Sequence, residues 1–258
     1  MATANRILGK RLPQHDSIEK ATGHLTYTAD VMLPGTLVGK FLFSPHPHAR
    51  IVSIDTSKAE AIPGVRGVIT WRDLPDKRAA TRTAFAAYVL ARDKVRYAGE
   101  AVAAVVGVDE DTAQRAVDAI QVDYEELPAV FEPHEAMKPG APVVFEGDEL
   151  PKASPGQRFF LYPFSAPRNE GPNVDTHFRL RTGDVHQGFE EADVILEETY
   201  YYPMVYQSTL ENSAVVARTK PSGDIEVWLA SQGASWVQTE LARFFDVPME
   251  RVSVHGMR

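Results

Sequence analysis

Cysteine is absent from all 258 residues, which removes disulfides, thiolate metal ligands, a cysteine nucleophile and protein-held iron–sulfur clusters from this chain. Metals held by other atoms, or by a bound cofactor, stay open. Positive charge is in deficit. There are 27 Lys and Arg against 35 Asp and Glu, a net charge of -8, and no basic cluster offers a nucleic-acid surface. Long apolar runs are missing as well. No stretch reaches the ~18 apolar residues of a membrane span, and Met1 to Lys10 has no apolar signal core, so a cytoplasmic location is expected. The remainder, 44% hydrophobic and 24% charged, is ordinary globular material long enough for two modest domains.

Residues 223–258 carry the clearest site pattern. Ile225, Val227 and Leu229 alternate with polar neighbours as a strand does, whereas Trp236, Val237, Leu241, Phe244 and Phe245 recur at helical spacing. The join is Ala230-Ser231-Gln232-Gly233-Ala234-Ser235, small residues around one amide. Ser235 is expected to cap the helix and Pro248 to follow its end, with Val252 and Val254 opening another extended run. A strand end meeting a helix start is where α/β proteins put ligands, because free backbone N–H groups and the positive end of the helix dipole converge there. Gln232 at that point has two donors and an acceptor carbonyl. It suits orienting a polar group and not moving protons, since an amide does not titrate. A turn residue with no ligand is the simpler alternative.

Earlier in the chain, residues 1–30 read as a polar lead-in of turns and short extended pieces. Residues 37–43 and 51–55 read as strands around Ser44-Pro45-His46-Pro47-His48, whose histidines are expected in a solvated turn without a metal. Ser57 is expected to cap a short helix leading to a strand over 65–70, one strand-helix-strand unit. A second unit follows: an apolar strand over 100–106, an Asp109-capped helix burying Ala113, Ala116, Val117 and Ile120, and a return strand through Val122 and Tyr124. Arg115 and Asp118 fall on that helix's solvated face.

Prolines and glycines interrupt every pattern over 138–173, as expected of an interdomain linker. Phe159, Phe160, Tyr162 and Phe164 inside it predict a packed and ordered connection. Beyond it, a short helix from Asp184 with Phe189 and Ala192 inward, a strand over 194–202 and a strand over 214–217 are expected. Glu211, among neutral residues, is a candidate buried acid of a substrate pocket or an exposed strand-end carboxylate.

Several blocks resemble the molybdenum-cofactor subunit of the xanthine dehydrogenase and aldehyde oxidase family. They are Lys20-Ala21-Thr22-Gly23, Phe43-Ser44-Pro45-His46-Pro47-His48-Ala49-Arg50-Ile51 and Asp55-Thr56-Ser57-Lys58-Ala59. The most specific is Val95-Arg96-Tyr97-Ala98-Gly99-Glu100, continued by Val122-Asp123-Tyr124-Glu125-Glu126-Leu127-Pro128. Gly183-Asp184-Val185 and Ala230-Ser231-Gln232 resemble the opening of its cofactor domain.

The resemblance implies an α/β (α+β) fold: a hammerhead domain over 1–137, an extended linker over 138–173, and the first part of the molybdenum-cofactor-binding domain over 174–258. It implies a molybdenum–molybdopterin cofactor, with the cytosine dinucleotide form among those open. Gln232 matches the family's glutamine that hydrogen-bonds an oxo group at the molybdenum. Tyr206-Gln207-Ser208-Thr209-Leu210-Glu211 departs from the family's histidine-containing pocket wall. The family's glycine-rich cofactor loop and catalytic glutamate have no counterpart here, so no catalytic or metal-ligating residue is expected in this chain and a partner chain carrying the rest of the site is expected. The implied reaction hydroxylates an aldehyde or N-heterocycle with oxygen from water, electrons leaving through 2Fe-2S and FAD on other subunits. A non-catalytic assembly or scaffold subunit is the alternative.

Overall fold

The computed structural model describes residues 9–79, 87–146, 165–166, 173–174, 177–178, 182–209 and 211–257. By contact the chain divides into Gly35–Val205 and a second unit that joins Met1–Pro34 to Tyr206–Arg258.

The Gly35–Val205 unit is built on two small antiparallel sheets. Strands β1 (Val38–Phe43), β2 (Ala49–Asp55) and β3 (Val65–Thr70) are followed by the two-residue β4 (Arg78–Ala79), β5 (Ala87–Tyr88) and β6 (Lys94–Val95), then β7 (Ala101–Gly107) and β8 (Gln121–Glu126). One sheet has the order β1-β7-β3 and the other β6-β2-β8, while β4 pairs with β5. Each expected strand-helix-strand unit therefore crosses from one sheet to the other, and every strand pair in these sheets is antiparallel. Local periodicity reports a strand's faces but not its neighbours.

The helix Glu110–Ala119 opens with the Asp109 carboxylate accepting from the Thr112 N–H at 2.7 Å. Hydrogen bonds from the Thr112 side chain and backbone hold the Asp109 carboxyl below its ordinary pKa. Ala113, Ala116, Val117 and Ile120 are buried as the spacing predicts, and the last three pack with Ala59, Ala103 and Val105. Gly107 lets the strand run directly into this helix: a Cβ there would lie 2.9 Å from the Ala113 nitrogen. At the short helix Ser57–Glu60 it is Asp55, not Ser57, that binds the helix start, its carboxylate accepting from the Ser57 N–H at 2.9 Å.

His48 is buried, contrary to the expected solvated turn, and its Nδ1 lies 2.7 Å from the Pro128 carbonyl oxygen. That bond ties the start of β2 to the end of β8, and its acceptor lies 80 residues away in sequence. The His46 ring packs tilted against Tyr124, at an interplanar angle of 56° with centroids 4.9 Å apart.

Most of the 138–173 linker, including Phe159, Phe160, Tyr162 and Phe164, lies outside the described residues. Asn173 donates to the carbonyls of Ala136 and Pro142 at 2.9 Å each and accepts from the Val144 N–H. The two-residue strands β9 (Ser165–Ala166) and β10 (His177–Phe178) pair. Asp184 caps the helix Val185–Glu190, but Phe189 and Ala192 are exposed, not inward. Residues 194–202 form no strand: Leu196, Tyr200, Tyr201 and Tyr202 are exposed and no described strand pairs with them. β-Branched and aromatic composition favours a strand only when a neighbour supplies the ladder.

In the second unit, the lead-in contains the helix Ser17–Thr22 and a 3-10 turn Thr28–Asp30. Strands β11 (Val215–Thr219), β12 (Ile225–Ala230) and β13 (Val252–Met257) form a sheet in that order, β11 antiparallel and β13 parallel to β12. The helix Ala234–Phe245 connects β12 to β13 and packs on β13, with Val227, Ala242 and Val252 buried. Its end is set by Asp246 in a left-handed conformation, φ 55, from which the Val247 N–H returns to the Ala242 carbonyl. Gln238 donates to the carbonyls of Met249 and Val252, locking the helix to the start of β13.

Candidate functional site

The parallel register aligns Ala230 with Met257, so the carboxyl ends of β12 and β13 lie side by side where the helix Ala234–Phe245 begins. Three residues, Ser231-Gln232-Gly233, make the join. Gly233 stands at the helix's N-cap with φ -138 and ψ 60, and has no side chain with which to cap. Ser235, the expected cap, is the second helical residue instead, and its carbonyl accepts from the Thr239 hydroxyl. The first-turn N–H groups thus receive no cap from the N-cap side chain, and no acidic residue stands in that turn.

Ser231 shapes the join. Its hydroxyl accepts from the Gly233 N–H at 3.0 Å, closing a small turn with Gln232 at the apex. Gln232 is exposed, and its amide bonds no described residue. The local arrangement is an exposed amide beside uncapped backbone donors, a set that matches acceptor-rich ligands.

Glu211 lies elsewhere in the same unit. It is half-buried, and its Oε1 accepts from both the N–H and the hydroxyl of Thr28, each at 3.3 Å. Thr28 is completely buried. Among the described residues no bond links Glu211 to Gln232, and the Glu211 contacts are those of a tether between the lead-in and the sheet's entry.

The pattern of residues 223–258 did not flag a charged cluster on the sheet face that alternates with Val227. Glu226, buried in the middle strand, accepts from Arg218 Nε at 2.7 Å, meets Lys220 at 3.6 Å and lies 3.0 Å from His255 Nε2. The bonds to His255 and then Arg218 hold the Glu226 carboxyl below its ordinary pKa. Trp228 stacks on His255 across the parallel pair, centroids 4.9 Å apart, with the Arg218 guanidinium 5.4 Å from the Trp228 ring. A glutamate at an even position of β12, opposite the apolar odd ones, was the available signal. Its partners come from the two flanking strands and the turn beyond β11.

Within the block Val95-Arg96-Tyr97-Ala98-Gly99-Glu100 the Arg96–Glu100 pair proves to be a buried fastening under an exposed Tyr97-Ala98-Gly99 turn. Glu100 accepts from the Arg96 N–H at 2.6 Å and from its guanidinium at 3.1 Å, and Gly99, at φ 93, donates to the Ser44 carbonyl. Among the described residues no group of three or more His, Cys, Asp and Glu could hold a metal, and no helix is long and apolar enough to cross a membrane.

Residues 22–128 match the family profile described as "Aldehyde oxidase and xanthine dehydrogenase, a/b hammerhead domain", and residues 167–258 match "Molybdopterin cofactor-binding domain". The chain is 35% identical over 239 residues to a probable xanthine dehydrogenase subunit of Bacillus subtilis, covering 93% of this chain and 29% of that protein. It is 30% identical over 249 residues to the nicotinate dehydrogenase large molybdopterin subunit of Eubacterium barkeri, covering 96% of this chain and 53% of the relative. Among solved structures, reconstituted CO dehydrogenase from Oligotropha carboxidovorans superposes with a TM-score of 0.75 at 31% identity, over 95% of this chain and 30% of that one. The chain therefore spans between about a third and about half of the length of these relatives.

Proposed function

We propose that this chain, a member of the aldehyde oxidase and xanthine dehydrogenase family with a hammerhead and a molybdopterin cofactor-binding profile, builds one wall of a molybdenum hydroxylase site, with Gln232 orienting the cofactor. The cofactor follows from the family, and the observation that carries the Gln232 role is the join itself: an exposed amide at the carboxyl ends of two parallel strands, next to an uncapped helix start with no carboxylate in its first turn. Oxo and phosphate oxygens are acceptors, and this donor set fits them.

When bound, molybdenum–molybdopterin, in its plain or cytosine dinucleotide form, supplies hydroxylation of an aldehyde or N-heterocyclic carbon with water as the oxygen source. The part of this chain is to bind and orient. The Gln232 amide would donate to the cofactor and the first-turn helix N–H groups would offer further donors to its oxygens, while proton transfer would fall to another residue, because an amide does not titrate. Electrons leave through iron–sulfur and flavin subunits. Glu211, tethered to Thr28, serves the pocket by holding its framework.

The test is Gln232→Ala in the assembled enzyme. Losing one oriented hydrogen bond is expected to lower turnover roughly tenfold to a hundredfold, with the melting temperature unchanged. Full turnover at full cofactor occupancy would refute the assignment. Loss of cofactor alone would make Gln232 a binding residue.

A further inference from the structure

We propose that Ser231 is the positioning residue for Gln232, and that its hydroxyl, which touches neither cofactor nor substrate, sets where the amide points. The inference rests on the proposed role of Gln232 and deepens it. Three observations carry it. Ser231 Oγ accepts the Gly233 N–H at 3.0 Å, so the backbone on both sides of Gln232 is clasped by one side chain. Gly233 leaves the join in a non-helical conformation, φ -138 and ψ 60, and without a Cβ has no wall of its own against Gln232. Gln232 meanwhile is exposed, and among the described residues no partner of its own side chain fixes it.

The anchors on either side are firm. Leu229 is paired to Val215 and Ala230 to Met257, and the helix is fastened to β13 by the two Gln238 bonds. Between these anchors the Ser231 hydroxyl is the one side-chain clasp in the three-residue join among the described residues. Removing it frees the rotation that carries the Gln232 Cα. An orienting amide tolerates little such freedom, because productive geometry at a reacting centre is held to fractions of an ångström. Stability has little stake here, since Ser231 is exposed and water can take the Gly233 N–H.

The experiment compares Ser231→Ala, Ser231→Thr, Gln232→Ala and the Ser231→Ala/Gln232→Ala double variant in the assembled enzyme. Five readouts are taken: kcat and KM, molybdenum and pterin content, melting temperature, the paramagnetic signature of the molybdenum, and hydrogen exchange at the Gly233 amide with and without cofactor. Ser231→Ala is expected to lower kcat about tenfold with KM, cofactor content and melting temperature unchanged. It should also speed exchange at Gly233 and shift the paramagnetic signature. Ser231→Thr keeps the hydroxyl and should restore wild-type values, and the double variant should be no slower than Gln232→Ala alone. Wild-type kcat and signature in Ser231→Ala, with Gln232→Ala impaired, would overturn the positioning role and leave the proposed function standing. An equal loss from Ser231→Ala in the Gln232→Ala background would also overturn it, because Ser231 would then act independently. A fully active, fully loaded Gln232→Ala would sink both readings.

Discussion

Replacing Glu211 by alanine separates two roles that a lone carboxylate among neutral neighbours can have. Thr28 is fully buried, and both its N–H and its hydroxyl end on one Glu211 oxygen, at 3.3 Å each. Alanine removes the acceptor of that N–H, and an orphaned buried donor costs about 1–3 kcal/mol. Both bonds are long, which places the expected loss at about 1–2 kcal/mol. The cost should be local, because the 3-10 turn Thr28–Asp30 packs against β11 and β12 and Glu211 is its polar link to the chain entering β11. Hydrogen exchange at the Thr28 amide reads this directly: the opening free energy falls by that amount, and exchange quickens roughly fivefold to thirtyfold.

A Thr28→Val partner variant completes a double-mutant cycle. It removes the hydroxyl but keeps the N–H, so the coupling with Glu211→Ala isolates the hydroxyl–carboxylate bond, expected at about 0.5–1 kcal/mol. Additive effects would show that the two side chains do not interact. Unchanged Thr28 exchange in Glu211→Ala, together with lost substrate binding, would refute the tether and return Glu211 to the pocket.

Two other sites give expectations of the same kind. Gly107→Ala places a Cβ 2.9 Å from the Ala113 nitrogen and 3.3 Å from the Asp109 carbonyl oxygen, backbone atoms that cannot swing away. It should cost about 1–3 kcal/mol by denaturant titration, whereas Gly39→Ala, meeting only the Val105 oxygen at 3.9 Å, should cost far less; equal costs would discount the close approach. The Glu226 carboxyl is held below its ordinary value of 4.5 in the folded protein, so its contribution to stability is complete above that value and disappears as pH falls through the lowered pKa. Stability measured from about pH 6 to about pH 3 should therefore fall less steeply in Glu226→Gln than in the wild type, and identical slopes would contradict the His255 and Arg218 bonds.

What the sequence revealed depended on how far apart the cooperating residues stand. The helix Glu110–Ala119 was legible because cap and stripe are local: Asp109 reaches Thr112 three residues on, and Ala113, Ala116 and Val117 share one face. The sheets were not. β2 pairs with β8 through partners such as Ile54 and Val122, and no local pattern favours that neighbour over β3 or β7. His48 departs from the expected solvated turn for the same reason, since its bond is to a carbonyl 80 residues away. Residues 194–202 failed in the opposite direction: their composition is that of a strand, but the described chain offers no ladder for it.

The candidate site divides along the same line, and the division separates its physics from its chemistry. That Gln232 sits between a strand end and a helix start was readable from a change of period within about ten residues. The Ser231 clasp spans only two residues, yet it emerges only from the structure, because a serine two residues before a glycine is equally compatible with a cap, a turn or a free hydroxyl. The Glu226 cluster draws Arg218 from β11, Lys220 from just beyond it and His255 from β13, so its members look like unrelated surface charges until the register brings them together. None of this geometry identifies a metal-bearing pterin: an amide beside free N–H groups matches any acceptor-rich ligand. The cofactor assignment rests on the family, and the geometry adds the residues through which such a ligand would be held, an orienting amide and the hydroxyl that aims it.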